Sequence, residues 1–82
     1  ESATAQGLQR VLCRIHVSKG MAHEAVAEFA EAEASYQSSL SIARAEGDHW
    51  EEVRTRSKMG SLCTFMDGRL EEAREHFEWA LA

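Results

Sequence analysis

A cysteine and a histidine near the start of the chain have the spacing of paired metal ligands. Cys13 and His16 lie three residues apart, so a helix would place both side chains on one face. A structural zinc site needs four ligands, and the sequence contains no Cys-x2-Cys or His-x3-His pair to supply the others. We therefore expect no metal and no cofactor. Cys13 and Cys63 are then two reduced thiols that pack as small apolar residues, which favours a cytoplasmic location.

A group of glutamates near the C-terminus has the residue type needed for acid–base chemistry. These residues are Glu71, Glu72, Glu75 and Glu78. At this spacing they form a solvated stripe along a helix, whereas general acid–base catalysis needs a cleft that shifts a pKa. The sequence also lacks a Gly-rich phosphate loop and a recognisable nucleophile motif. These observations predict that the chain is not an enzyme.

The composition limits the elements that can carry these side chains. The chain has 82 residues, no Pro and a net charge of −5, which is typical of one soluble α-helical domain. It has no apolar run near the roughly 18 residues of a membrane-spanning helix. It also has no signal-peptide pattern. Because the chain begins at Glu1 and ends at Ala82 in the middle of its pattern, we expect a fragment of a longer repeat protein.

The spacing of the glycines indicates an internal repeat. The interval between Gly7 and Gly20 recurs between Gly47 and Gly60, so the second pair repeats the first. The period, from Gly7 to Gly47, is about 40 residues, a length typical of helical solenoids. The apolar spacing within each unit predicts four helices, at about residues 8–26, 29–46, 49–66 and 69–82.

Two registers of the repeat fit the sequence. The long register places Gly68 on Gly20 and aligns the segments that follow these two glycines. The first helix would then end at Gly20, and the second would run from about Ala22 to Glu46. The short register places Gly47 on Gly7, so that Gly20 lies inside the first helix and Gly47 ends the second. We favour the short register because its four helices have similar lengths, although its first turn, at 27–28, has no Gly or Pro.

The second helix of each unit carries a pattern of small and aromatic residues. The pattern is Glu31-Ala32, Tyr36, Ser39-Leu40, Ile42-Ala43 and Gly47-Asp48 in the first unit, and Glu72-Ala73, Phe77 and Ala80-Leu81 in the second. It resembles the tetratricopeptide repeat, in the roughly 40-residue variety found in rapsyn and the G-protein-signalling modulators. The resemblance implies an all-α solenoid of two antiparallel helix hairpins, repeat 1 at about 8–46 and repeat 2 at about 49–82.

The resemblance also implies that the first helices line a concave groove. These helices carry six basic and three acidic residues, a net of +3, whereas the second helices carry three and seven, a net of −4. A scaffold or adaptor with a basic groove would bind an acidic partner peptide, and Arg14 and Arg54 occupy equivalent positions for carboxylate contacts. The candidate groove residues are Arg10, Arg14, Val17, Met21, Trp50, Arg54, Ser57, Lys58 and Ser61.

Other interpretations stay open. Each groove Arg could pair with a neighbouring Glu and contribute little to binding. The chain could instead be an oligomerisation or regulatory-coupling module that associates through its terminal helices, with Trp79 facing the partner. An RNA-binding α-solenoid is disfavoured because the chain is acidic. Trp50 is interpreted as packing beneath the turn at Gly47 in preference to anchoring a ligand.

Overall fold

Four helices make up the fold. The computed structural model describes residues 3–66 and 68–81, with side chains from residue 5 onward. The helices are α1 (Ala3–Ala25), α2 (Phe29–Glu46), α3 (His49–Thr64) and α4 (Leu70–Leu81). α1 packs against α2 and α3 against α4, and the two hairpins are joined where α2 packs against α3. The predicted all-α arrangement of two helix hairpins is confirmed. In the part of the chain described, no helix is both long and apolar enough to cross a membrane.

The first turn decides between the two registers. Gly20 lies inside α1, and the chain reverses at 26–28, so the short register is confirmed and the long register is wrong. Ala27 takes the left-handed conformation, with φ 61°. The Glu28 N–H donates to the His23 carbonyl at 2.8 Å, and the Ala27 N–H donates to the Glu24 carbonyl at 3.0 Å. These bonds satisfy the end of α1, although a left-handed Ala costs about 1 kcal/mol.

The junction between α2 and α3 has the predicted caps. Gly47 ends α2 with φ 65°, and its N–H donates to the Arg44 carbonyl. Asp48 caps α3, since its Oδ1 accepts the Glu51 N–H at 3.2 Å. The Gly47 cap agrees with the expectation from sequence, and Asp is a residue type favoured at helix N-caps.

Helix ends differ from the prediction at several places. α1 begins at Ala3 and not at residue 8, so Gly7 lies inside a helix and does not mark a joint like Gly47. α3 ends at Thr64 and not at residue 66, because Phe65 donates its N–H to the Leu62 carbonyl three residues back. Two predicted features, the turn residue Asp67 and the helix end at Ala82, lie outside the described residues.

An aromatic ring covers a glycine in each hairpin. A Cβ placed on Gly20 would lie 2.5 Å from the Tyr36 ring, and one on Gly60 would lie 3.0 Å from the Phe77 ring. Only Gly permits this approach at Gly20. The core that joins the hairpins consists of Val17, Ala32, Tyr36, Leu40, Met59 and Leu62.

Candidate partner-binding groove

The candidate groove residues lie on two helix faces. Those of α1 are spaced by four, three and four residues, which places them on one side of the helix: Arg10, Arg14, Val17 and Met21. Those of α3 also share a side, turned away from the buried face that packs on α2 and α4: Trp50, Arg54, Ser57, Lys58 and Ser61. α1 and α3 are in contact, and Met21 of α1 lines one cavity together with Lys58 and Ser61 of α3.

Ion pairs close the groove at the start of α3. The Arg10 Nε donates to Asp48 Oδ2 at 3.0 Å, and its Nη2 lies 3.0 Å from the same oxygen. One turn along α1, Arg14 Nη2 lies 3.5 Å from Glu51 Oε2. The Glu51 side chain is fully buried, and neither of its carboxylate oxygens has a hydrogen-bond partner among the described residues. Arg14 is therefore its neutralising charge.

The electrostatics of Asp48 follow from these contacts. Burial raises the pKa of its carboxyl, but the hydrogen bonds from Arg10 and from the Glu51 N–H outweigh burial, and the pKa lies below its usual value. The same hydrogen bond to Asp48 raises the pKa of Arg10. Arg10 and Arg14 are thus occupied by carboxylates of the same chain.

The two equivalent arginines, Arg14 and Arg54, differ in their contacts within the chain. Arg14 pairs with Glu51, as the alternative interpretation had it. Its counterpart Arg54 is exposed and forms no ion pair with the residues described. Arg14 has a partner because α3 supplies an acidic residue, Glu51, beside α1. Arg54 and Lys58 are the cations left for a partner on this side of α3.

A cavity of ≈ 430 Å³ lies at the other end of the groove. Three of the candidate residues line it, Met21 from α1 and Lys58 and Ser61 from α3. Its remaining wall consists of Glu24, Ala25, Phe29, Tyr36 and Phe65. Apolar side chains with a few polar groups are the usual lining of a binding site.

The Tyr36 hydroxyl fixes one wall of this cavity. It donates to Glu24 Oε1 at 2.9 Å, linking α2 to α1 across the first hairpin. Burial and the adjacent carboxylate raise the pKa of Tyr36, so the phenol keeps its proton. Phe65, which also lines the cavity, is 66% exposed. The cavity thus combines a rigid polar wall with an accessible aromatic ring.

Two candidate residues have environments that differ from expectation. Val17 is 4% exposed and belongs to the core, because its position on α1 is covered by α2 and α3, so it cannot contact a partner. Trp50 is 69% exposed. Its interpretation as packed beneath the turn at Gly47 is wrong, since α3 directs it to the open side of the helix. Ser57 donates its hydroxyl to the Val53 carbonyl of its own helix at 3.0 Å.

Trp79 packs within the chain and does not face outward. The Arg56 guanidinium carbon lies 4.4 Å above the centre of its ring, a cation–π contact. The His49 ring lies 5.7 Å from it at 49°. The suggestion that Trp79 faces a partner is therefore wrong, because α3 covers the ring.

A group of potential metal ligands lies at the end of the second hairpin, away from the groove. Cys63 comes from α3, and Glu72 and His76 come from consecutive turns of α4; one ligand atom of each lies within 4.8 Å of the others. Burial raises the pKa of the Cys63 thiol to about 11 and lowers the pKa of His76. A hydrogen bond from Arg69 lowers the pKa of Glu72.

Some residues of these sites were not predicted from the sequence. Phe29 and Phe65 carry a weak signal, since they are large apolar residues at helix ends, where they would be expected to pack or to bind. Cys63 and His76 carry none, because they belong to different helices and meet only where α4 folds back on α3. Spacing along one helix drew attention to Cys13 instead, yet its Sγ donates to the Ser39 carbonyl at 3.5 Å and is buried in the core.

Among the comparisons with known proteins, the one with family models finds a match. No curated protein and no solved structure matches the chain. A family model described as tetratricopeptide repeat matches residues 11–82, most of the chain and all of the groove except Arg10. The chain folds into two hairpins, and each has a contact between a glycine and an aromatic ring. Together with this match, these features show that the chain belongs to the tetratricopeptide repeat family.

Proposed function

We propose that the chain binds an acidic partner peptide along α3, with an apolar anchor residue in the cavity beside Met21. Tetratricopeptide repeats generally mediate protein–protein interaction and are generally non-enzymatic. The observation that carries the proposal is the position of this cavity, which is lined by Met21, Lys58 and Ser61. All three belong to the groove that the sequence pattern predicts.

Charge supports the acidic partner. Arg10 and Arg14 are neutralised within the chain, but Arg54 is exposed, and neither Arg54 nor Lys58 has an ion-pair partner in the described residues. Two cations one turn apart on α3 suit two carboxylates of an extended or helical segment. Because the chain as a whole is acidic, an acidic peptide would be attracted to this basic side of α3 and repelled elsewhere.

Apolar contacts support an anchor residue next to the carboxylates. Phe65 and Met21, which line the cavity, expose 66% and 47% of their surface, and Phe29, also in the lining, packs against the core. A Leu or Phe side chain of a partner would cover these groups. Burial of one such side chain contributes about 1.5–3 kcal/mol, more than an exposed ion pair contributes.

The test is a charge reversal on α3. Arg54→Glu/Lys58→Glu replaces two attractions by two repulsions, about 2 kcal/mol in all or about 30-fold in Kd. Fluorescence anisotropy of a labelled acidic peptide containing one Leu measures this loss. Lys19→Glu/Arg74→Glu is the matched control, because it makes the same change in charge away from the cavity. Equal affinities of the two double variants would refute the proposal.

A second candidate function is self-association through the terminal helices. Val11 and Ile15 of α1 are about half exposed, while their counterparts in the second unit, Glu51 and Thr55, are fully buried against α2. At the other end Leu81 of α4 is 88% exposed. Apolar residues on each terminal face are thus exposed at positions where, inside a repeat array, a neighbouring hairpin would bury them.

Light scattering during size-exclusion chromatography separates this candidate from the first. Self-association predicts a mass above that of one chain, reduced by Val11→Glu or by Leu81→Glu. Trp79→Ala is a poor probe, since Trp79 packs against Arg56 of its own chain. A monomer at high concentration that still binds the acidic peptide excludes the second candidate and leaves the first standing.

A further inference from the structure

We propose that Cys63, Glu72 and His76 form a Zn²⁺ site that joins the end of α3 to α4. The site would have three protein ligands, a thiolate, a carboxylate and an imidazole, and a water molecule in the fourth position. Zinc accepts this mixed set of sulfur, nitrogen and oxygen ligands. The site lies apart from the groove, so it is independent of the proposed peptide binding.

The distances between the ligand atoms fit a zinc ion. Cys63 Sγ lies 3.5 Å from Glu72 Oε2, and His76 Nε2 lies 3.8 Å from the same oxygen. With ordinary Zn–S, Zn–N and Zn–O bonds, tetrahedral coordination would give about 3.6 Å for the first pair and about 3.4 Å for the second. The third pair, Cys63 Sγ and the His76 nitrogen, lies within 4.8 Å.

The side chains are held in place by the helices. Glu72 and His76 are four residues apart on α4, so their side chains lie one above the other on the face that meets α3. Cys63 is buried, and the His76 side chain is 12% exposed. A site that brings together atoms on packed helices loses less side-chain freedom on binding than one built on loops.

His76 lacks the hydrogen bonds that a buried imidazole normally makes. Its Nδ1 is buried without a partner in the described residues, and its Nε2 comes no closer than 3.8 Å to Glu72. Coordination would give Nε2 a strong partner, while Nδ1 would stay without one.

Arg69 is the competitor for the carboxylate. Its guanidinium binds both Glu72 and Glu33. Nε donates to Glu72 Oε1 and Nη1 donates to Glu33 Oε1, each at 3.0 Å. Nη2 contacts both carboxylates. Zinc at Glu72 Oε2 must displace Nη2 from that oxygen. Glu33 gives the guanidinium a second carboxylate, so Arg69 stays paired when Glu72 takes the metal.

Thiol coordination releases a proton. In the free chain the Cys63 Sγ donates its thiol hydrogen to Glu72 Oε2 at 3.5 Å. Zn²⁺ replaces the thiol proton, which leaves to solvent as the Zn–S bond forms, and the bound state carries a thiolate and a carboxylate against the two charges of the metal. Affinity must therefore increase as the pH increases.

The first hairpin serves as an internal control. The positions equivalent to the three ligands are His23, Glu31 and Ser35. Ser35 is a poor zinc ligand, and His23 Nδ1 is 2.8 Å from Glu28 Oε1 in the turn. The same fold therefore presents a ligand set at the second hairpin only, among the residues described.

Titration of the reduced chain with Co²⁺, and with Zn²⁺ in competition, tests the proposal. We expect one metal per chain, a thiolate-to-cobalt charge-transfer band, and release of about one proton. Cys63→Ser and His76→Gln should each weaken binding by more than about tenfold. Cys13→Ser and His23→Gln, at the buried cysteine and the histidine outside the site, should leave it unchanged.

Zn²⁺ should also increase the melting temperature of the wild-type chain and of the two control variants, but not of Cys63→Ser, because an ion bound only to the folded state stabilises it. Circular dichroism checks that every variant is helical. The proposal is overturned if Co²⁺ gives no charge-transfer band, or if the band persists in Cys63→Ser. It is also overturned if binding is the same in His76→Gln as in wild type.

Discussion

Replacing each helical glycine by Ala tests the packing of the two hairpins. Gly7, Gly20 and Gly60 all lie inside helices, so Ala gains up to about 1 kcal/mol of helix propensity at each. They differ in what the new Cβ would meet. At Gly7 the new Cβ would meet no atom within 4 Å apart from its own stretch of helix, whereas at Gly20 the Tyr36 ring would be 2.5 Å away.

The series separates the backbone effect from overpacking. Gly7→Ala should stabilise the fold by about 0.5–1 kcal/mol. At Gly20 the Tyr36 ring is fully buried and hydrogen-bonded to Glu24, so it cannot move away from a new Cβ. Overpacking should cost about 3 kcal/mol, which exceeds the gain in helix propensity and leaves the fold about 2 kcal/mol less stable. Gly60→Ala should be near neutral, since its contact is 3.0 Å to Phe77, a partly exposed ring.

Urea denaturation followed by circular dichroism gives these free energies of unfolding. A loss of about 2 kcal/mol in Gly20→Ala corresponds to a decrease of about 8–16 °C in melting temperature for a domain of this size. The reasoning is refuted if Gly20→Ala is as stable as Gly7→Ala.

Three further predictions concern the groove and the turns. Arg14→Met should lower the free energy of unfolding in urea by about 2 kcal/mol, because it leaves the Glu51 carboxylate buried and uncompensated. The double variant Arg14→Met/Glu51→Met should recover most of this loss. A single variant as stable as wild type would contradict the pairing. Ala27→Gly should stabilise the chain by about 0.5 kcal/mol by relieving the left-handed Ala, and a loss of stability would count against the strain. Because the folded pKa of Asp48 is lowered, its contribution is present above about pH 4, its unfolded value, and is lost as the pH decreases through the folded value. Asp48→Asn, which keeps a cap, should therefore show a flatter decrease of melting temperature in acid, and an unchanged acid limb would contradict this.

The repeat could be predicted from sequence because its signals are local. The spacing of Gly47 and Asp48 specifies a helix end and a helix start. An aromatic residue four positions after Ala32 or Ala73 lies on the same face of the helix as that alanine, and so marks the packing face. The turn at Ala27 was the uncertain point, since its left-handed residue is not Gly, and hydrogen bonds to α1 carbonyls replace the usual signal.

The candidate site depends on contacts that no local pattern encodes. Arg14 and Arg54 are equivalent along the sequence, yet only Arg14 meets a buried carboxylate, because Glu51 comes from the neighbouring hairpin. The environments predicted for the two tryptophans were wrong for a similar reason, since how α4 crosses α3 determines which ring is covered. Charge composition predicted the basic helices, but partners within the chain determine which cations remain available.

Mapping by NMR of where an acidic peptide binds tests the central claim most directly. The chain, labelled with nitrogen-15, is titrated with an unlabelled acidic peptide that contains one Leu. We predict the largest amide shift changes at Met21, Lys58, Ser61 and Phe65, around the cavity between α1 and α3. Changes confined to α4 around Glu71 and Arg74, or no change at a peptide concentration that saturates the anisotropy signal, would contradict the account.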